Sequence, residues 1–170
     1  MKRTLALLLS LLALAAPLSG CTSGGGTASL TAEERTQLYR TAIEEARSAE
    51  DNEYRPIDTE IGPSNEYILG LLGLAEEDMS AFAVSVSAMN VQAYGVAAIY
   101  PAEGRADAVL EGLEGFVAQQ RQNFQNYLAD QYDIANSARL ETLEDGTVLL
   151  VMCEGQDGVF DAIRDRIEAA

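Results

Sequence analysis

The apolar positions change period midway along the chain. Phe82, Val84, Val86 and Ala88 alternate with Ala83, Ser85 and Ser87, which predicts a half-buried strand over residues 81–89. Residues 90–93 read as a turn, and residues 94–100 return as a second strand that stops at Pro101. The spacing then becomes three and four: Ala106, Val109, Leu110, Leu113, Phe116, Val117, Phe124, Tyr127 and Leu128 share one face of a single long helix laid across the two strands. Gly112 and Gly115 fall off that stripe and read as exposed positions, the alternative being a helix or strand that approaches closely there.

The flanking segments carry their own punctuation. Thr31 and Glu34 form a capping-box pattern that starts a helix with Leu38, Tyr39, Ala42, Ile43 and Ala46 as its apolar stripe, fading near Asn52. Pro56, Gly62 and Pro63 make residues 55–63 irregular. Ser64 is placed to cap a short helix over residues 67–72 that Gly73 ends. Glu76, Glu77 and Asp78 read as a solvated turn, since three contiguous acids lack the alternating ligands and the glycine of a calcium loop. Residues 138–143 and 147–153 form a second hairpin about Asp145-Gly146, and residues 148–152, apolar on both faces, read as a central strand. A last helix over residues 159–169 turns Val159, Phe160, Ile163 and Ile167 inward.

Residues 96–109 and 149–163 follow one plan: an apolar strand, a loop containing Glu-Gly, then Asp-Ala-Val or Asp-Ala-Ile. The expected fold is therefore α+β: N-terminal helices, then two strand-strand-helix units forming a four-stranded, mainly antiparallel sheet, with both unit helices on one face. About 140 residues, 31–170, are enough for one self-sufficient domain.

The first residues alter the picture of where this domain works. Lys2 and Arg3 precede an apolar run from Leu5 to Ala16, so residues 1–20 read as a signal peptide. The run ends in Leu18, Ser19, Gly20 and Cys21, which resembles the lipobox of bacterial lipoproteins. By that resemblance Cys21 becomes the lipidated first residue of the mature chain, and two acyl chains give stable anchoring. Residues 21–30, rich in glycine, serine and threonine, then read as a flexible tether. Loss of the leader leaves nine basic residues against twenty-seven acidic ones, a formal charge of −18, with no lysine and no histidine. Such a surface repels nucleic acid and anionic headgroups, so membrane contact is expected through the lipid on Cys21 alone.

The missing residue types narrow the chemistry. Without histidine there is no Ser/His/Asp or Cys/His apparatus and no HExxH zinc site, and without lysine after the leader no Schiff base or P-loop. No cofactor or metal site is indicated. An enzyme would have to use Cys153 as nucleophile, or carboxylates such as Asp161 and Asp165 one helical turn apart. A passive surface protein is the third alternative. The richest polar surface is the amide-laden segment 119–126 with the tyrosines after it, which makes Gln119, Gln122, Gln125, Tyr127 and Tyr132 the candidate interaction surface.

The segments AFAVSVSAMNVQAYGVAAIYPAEG, FQNYLADQYD and EDGTVLLVMCEG, within residues 71–167, are similar to small lipoproteins of Gram-positive, clostridial-type bacteria whose domain is catalogued only as one of unknown function. That resemblance implies an address outside a single membrane and supplies no catalytic residues. The expectation is a lipid-anchored, outward-facing binding or accessory module of the cell envelope, not an enzyme, with an envelope protein as its partner.

Overall fold

A computed structural model describes residues 30–170. The signal peptide, the lipobox Leu18, Ser19, Gly20, the lipidation site Cys21 and all but the last residue of the tether lie outside the described residues. The chain runs α1 (Ala32–Ala46), α2 (Ala49–Tyr54), α3 (Tyr67–Leu72), β1 (Met79–Val86), β2 (Gly95–Pro101), α4 (Ala106–Phe124), α5 (Ala129–Asn136), β3 (Arg139–Thr142), β4 (Val148–Met152) and α6 (Gln156–Glu168). The strands form one antiparallel sheet in the order β1-β2-β4-β3, so β4 is central, as its continuous apolar run predicts. The β1–β2 connection and the end of β4 mark what we term the upper end of the sheet, and the β3–β4 turn marks the lower end.

Helices cover both faces. Val84, Ala97, Ile99, Val148, Leu150 and Met152 meet α3, α4 and α5 on one side. Ala83, Val96, Ala98, Leu149 and Val151 meet α1 and α6 on the other. This corrects two expectations. First, β1 is buried on both faces; Ser85, expected on the open face, is fully enclosed. Second, α4 and α6 lie on opposite faces, not one. No rotation superposes the two strand-strand-helix units, because antiparallel neighbours exchange about an axis normal to the sheet and that operation keeps both helices on the same face. The units have opposite hand, and their shared sequence plan reflects similar local needs at two helix starts.

Helix ends follow local chemistry where it is available. Thr31 accepts from the Glu34 amide at 3.2 Å while the Glu34 carboxylate accepts from the Thr31 amide at 2.8 Å, closing the predicted capping box. Gly73 ends α3 in the left-handed region at φ 67°. Ser64 does not cap α3; Asn65 organises that segment instead, accepting from the Gly62 amide and donating to Asp58 and the Glu60 carbonyl. Asp58 exchanges two backbone hydrogen bonds with Val84, which covers part of the β1 edge.

Two helices break where simple periodicity runs them on. α1 stops at Ala46 because Arg47 turns extended and inward, and Ser48 caps a separate α2 by accepting from the Asp51 amide. α4 stops at Phe124, so Tyr127 and Leu128 do not continue its stripe. A straight helix would carry Leu128 past the sheet. The turn folds α5 back on α4, buries Ala135 and lets Arg121 donate to the carbonyls of Ala135 and Asn136.

The acidic turn 76–78 is not uniformly solvated. Asp78 is buried, accepts from the Ala75 amide at 2.8 Å and pairs with Arg105 at the start of α4. The Ala75 amide above all, helped by the Arg105 guanidinium, holds the Asp78 carboxyl below its ordinary value. An unfolded aspartate titrates near about 3.9, so this contribution is complete above that range and disappears as pH falls through the lower folded value. The melting-temperature gap between wild type and Asp78→Asn is therefore expected to be widest near neutral pH and to close only as pH falls below the ordinary aspartate range. A gap independent of pH would mean that charge on Asp78 plays no part.

Candidate functional site

α1 climbs from the lower to the upper end of the sheet, and buried polar side chains pin both of its ends. At the lower end Arg35 donates to Asp145 at 2.5 Å, lies 3.8 Å over the Tyr100 ring, and neighbours the 2.6 Å contact between the Tyr39 and Thr147 hydroxyls. At the upper end the Arg47 guanidinium donates to Asn52 Oδ1, Ser85 Oγ, the Tyr94 hydroxyl and the Arg55 carbonyl, at 2.6 to 3.3 Å. Burial raises the Tyr39 and Tyr94 hydroxyls above their ordinary values, so both stay neutral. Arg47 thus joins the end of α1 to α2, β1 and the β1–β2 connection, without a carboxylate in direct contact.

Directly beside this joint opens a cleft of about 430 Å³, lined by residues of α2, the β1–β2 connection, α5 and the end of β4. Its volume falls in the range of small-ligand sites, roughly 300–1,000 Å³. Glu50, Asp51 and Glu154 supply carboxylates, while Gln92, Tyr94 and Gln131 supply hydrogen-bonding groups. Arg55 is engaged within the wall: it pairs with Asp51 at 2.6 Å and lies 4.2 Å over the Tyr94 ring. Gln131 accepts from the Ala93 amide at 2.8 Å, which fixes α5 against the hairpin connection. An adjoining cleft of about 370 Å³ between α2 and that connection shares Glu50, Arg55 and Gln92 and adds the side chains of Tyr54 and Met89.

The structure separates the candidate interaction residues chosen from sequence. Gln119, Gln122 and Gln125 are exposed, and Tyr127 is 72% exposed in the turn after α4. Tyr132 belongs elsewhere: it is partly buried and packs from α5 against the core. Gln119 donates to Asn123 at 2.9 Å and sits at the rim of a groove of about 540 Å³ between α3 and α4, floored by Gly70, Gly73, Gly112 and Gly115. Phe116 covers Gly95, the first residue of β2, so the amide-rich part of α4 lies at the upper end, the same end as the two clefts.

Sequence reading passed over Arg47, Asp51, Arg55 and Tyr94. One local signal was present: Ser48 followed by Asp51 three residues later is itself a helix-start pattern, and it places a break immediately after Arg47. The inward course of Arg47 has no local signature, because two of its acceptors, Ser85 and Tyr94, lie 38 and 47 residues further along the chain.

The side chains singled out from sequence as candidate catalytic groups are buried or ion-paired. Cys153 lines the first cleft but is only 5% exposed, and burial, with Asp51 nearby, pushes its thiol up to about 11. Asp161 accepts from Arg139 at 2.9 Å and from Arg164 at 3.0 Å, Arg139 first among the causes that hold its carboxyl below the ordinary range. Asp165 is held by Arg164 at 2.8 Å. At neutral pH a thiol of this kind carries on the order of a hundredfold less thiolate than an ordinary one, so alkylation of native Cys153 by iodoacetamide is expected to be slower by at least that factor. Unfolding in guanidinium restores the ordinary rate; rapid labelling of the native chain would contradict this burial. Among the described residues no group of three histidine, cysteine or acidic side chains is placed to hold a metal ion, and no helix is long and apolar enough to cross a membrane.

No curated protein and no solved structure matches the chain. The segment from Pro63, before α3, to Cys153, after β4, holds all four strands and the α3–α4–α5 face, and it matches a family model described as a domain of unknown function. With residues 63–153 matched, more than half of its length, the chain belongs to the DUF4358 family.

Proposed function

We propose that this chain is a lipid-anchored, extracytoplasmic binding or accessory module of the cell envelope, held at the membrane through Cys21 and presenting the upper end of its sheet to a partner protein. The observation that supports the reading is that the described domain starts at the end of the sheet opposite the clefts: α1 begins at the lower end, beside Asp145, and the chain beyond its far end builds the cleft wall with Ser48, Asp51 and Arg55. The clefts and the exposed amides of α4 then lie, in this reading, at the end of the domain away from where the tether joins it. In this reading the chain performs no chemistry of its own: Cys153 is buried and the paired aspartates neutralise arginines.

Two measurements test it. Metabolic labelling with an alkyne-tagged fatty acid is expected to mark the wild-type chain in the membrane fraction, and Cys21→Ser to lose both the label and the membrane association. Retention of both in the variant would refute the anchor. Photo-crosslinking in intact cells from probes at Gln119, Gln122 and Gln125 is expected to yield one dominant protein partner. A folded, anchored chain with no crosslink from any of the three would refute the accessory role.

A further inference from the structure

Six large apolar side chains are exposed among the described residues, and two of them, Tyr54 at 68% and Met89 at 62%, line one cleft at the upper end, with Val91, 57% exposed, in the same connection as Met89. Tyr54 ends α2, while Met89 and Val91 belong to the β1–β2 connection. Tyr54 and Met89 both line the smaller cleft, together with Pro56 and Val86. An isolated exposed apolar residue needs no explanation, but side chains lining one depression form a patch that folding left uncovered.

The charge around the patch has one sign. Glu50 lies in both clefts, Glu154 closes the larger one and Glu53 neighbours Tyr54; none of the three forms an ion pair among the described residues. The single cation in the wall, Arg55, is already held by Asp51 and the Tyr94 ring. Unpaired carboxylates beside a depression that exposes Tyr54 and Met89 complement an apolar side chain flanked by cations. A second copy of this acidic chain, or an anionic lipid surface, carries charge of the wrong sign.

We propose that the upper end of the sheet, formed by α2 and the β1–β2 connection, docks a cationic segment of a partner protein in which lysine or arginine residues flank an apolar side chain seated between Tyr54 and Met89. The proposal rests on the binding reading above and gives the partner its chemistry; it does not depend on the anchor.

The test uses the full chain immobilised from neutral detergent and three soluble twelve-residue peptides, alternating Lys/Leu, Lys/Ser and Glu/Leu. The Lys/Leu peptide is expected to bind at least about tenfold more tightly than either of the others, since it alone supplies both contacts. Met89→Ser and the double variant Glu50→Gln/Glu154→Gln are each expected to weaken it about tenfold, while Glu111→Gln/Glu114→Gln, which removes the same charge from exposed positions on α4, changes it by less than about twofold. All the substituted side chains are exposed, so melting temperatures should stay level and a loss of binding reads as a loss of contact. Equal binding by the Lys/Ser peptide, wild-type affinity in the upper-end variants, or an equal loss in the α4 variant would overturn the docking surface. If that happens while crosslinks from Gln119, Gln122 and Gln125 still capture one partner, the binding reading stands and only this surface falls.

Discussion

Gly112→Val is expected to be among the most damaging single substitutions in the chain, and Gly115→Ala, one turn away, to be stabilising. A Cβ at Gly112 would stand 2.6 Å from Leu74 Cδ2, 2.8 Å from the Leu72 carbonyl oxygen and 3.0 Å from that of Gly73. Leu74 can move its side chain; the two carbonyls belong to the turn that ends α3 and cannot give way without separating α3 from α4. Valine adds two further methyls to that contact, and overpacking of this kind costs about 3 kcal/mol. For a chain of this size that is a loss of roughly 10 °C in melting temperature. A Cβ at Gly115 meets nothing within 4 Å, so alanine there gains about 1 kcal/mol of helix propensity. Thermal melts of the two variants check the pair directly, and a mild effect at Gly112 would show that α3 does not seat on α4 as described.

Arg47→Ala is expected to cost about 3 kcal/mol and to disorder the upper end in particular. Removing the guanidinium leaves the Ser85 hydroxyl, the Tyr94 hydroxyl and the Arg55 carbonyl short of a donor beneath buried surface, at about 1 kcal/mol or more for each group left unsatisfied. The damage should also be local. The Asn52 side chain and the Arg55 carbonyl hold α2 to the end of α1, so amide exchange in α2 and in the β1–β2 connection is expected to accelerate more than exchange in β4. The contrast is Arg40→Ala: its ion pair with Glu44 is exposed on both sides and its loss should change stability by less than about 0.5 kcal/mol. Similar effects at the two arginines would deny Arg47 its role as the joint. Peptide binding at the upper end should weaken with Arg47→Ala as well, because the wall of both clefts is carried by α2.

These two positions also show why the candidate site was harder to read than the fold. Gly112 lies off the apolar stripe of α4 and reads as exposed, yet it is where another backbone approaches most closely. Arg47 is a charged residue near a helix end, a place where solvent exposure is the usual outcome, and here it is buried. Gly112 meets residues 72–74 and Arg47 reaches Ser85 and Tyr94, all distant in sequence. The amide surface was legible as far as Gln119, Gln122, Gln125 and Tyr127, since a helix turns polar residues off its apolar stripe to solvent. Tyr132 lies apart from these residues because the helix breaks at Phe124 and α5 takes a new direction.

By itself the amino-acid sequence determined the features that depend on neighbouring residues: the capping box at Thr31 and Glu34, the stop at Gly73, the turn at Asp145-Gly146, the α+β class, and the centrality of β4. Each is set by hydrogen bonds or side-chain periods spanning a few residues, which are present before any long-range contact forms. Only the tertiary structure decided which face each helix covers, the opposite hand of the two strand-strand-helix units, the inward turn of Arg47, the burial of Asp78 and the close approach at Gly112. The physical reason is that an amphipathic pattern states how much surface must be buried and on which side of its own element, but not what will cover it. That choice belongs to the packing of segments far apart in the chain, and here it left the clefts and the unpaired carboxylates together at the end of the sheet opposite the start of α1.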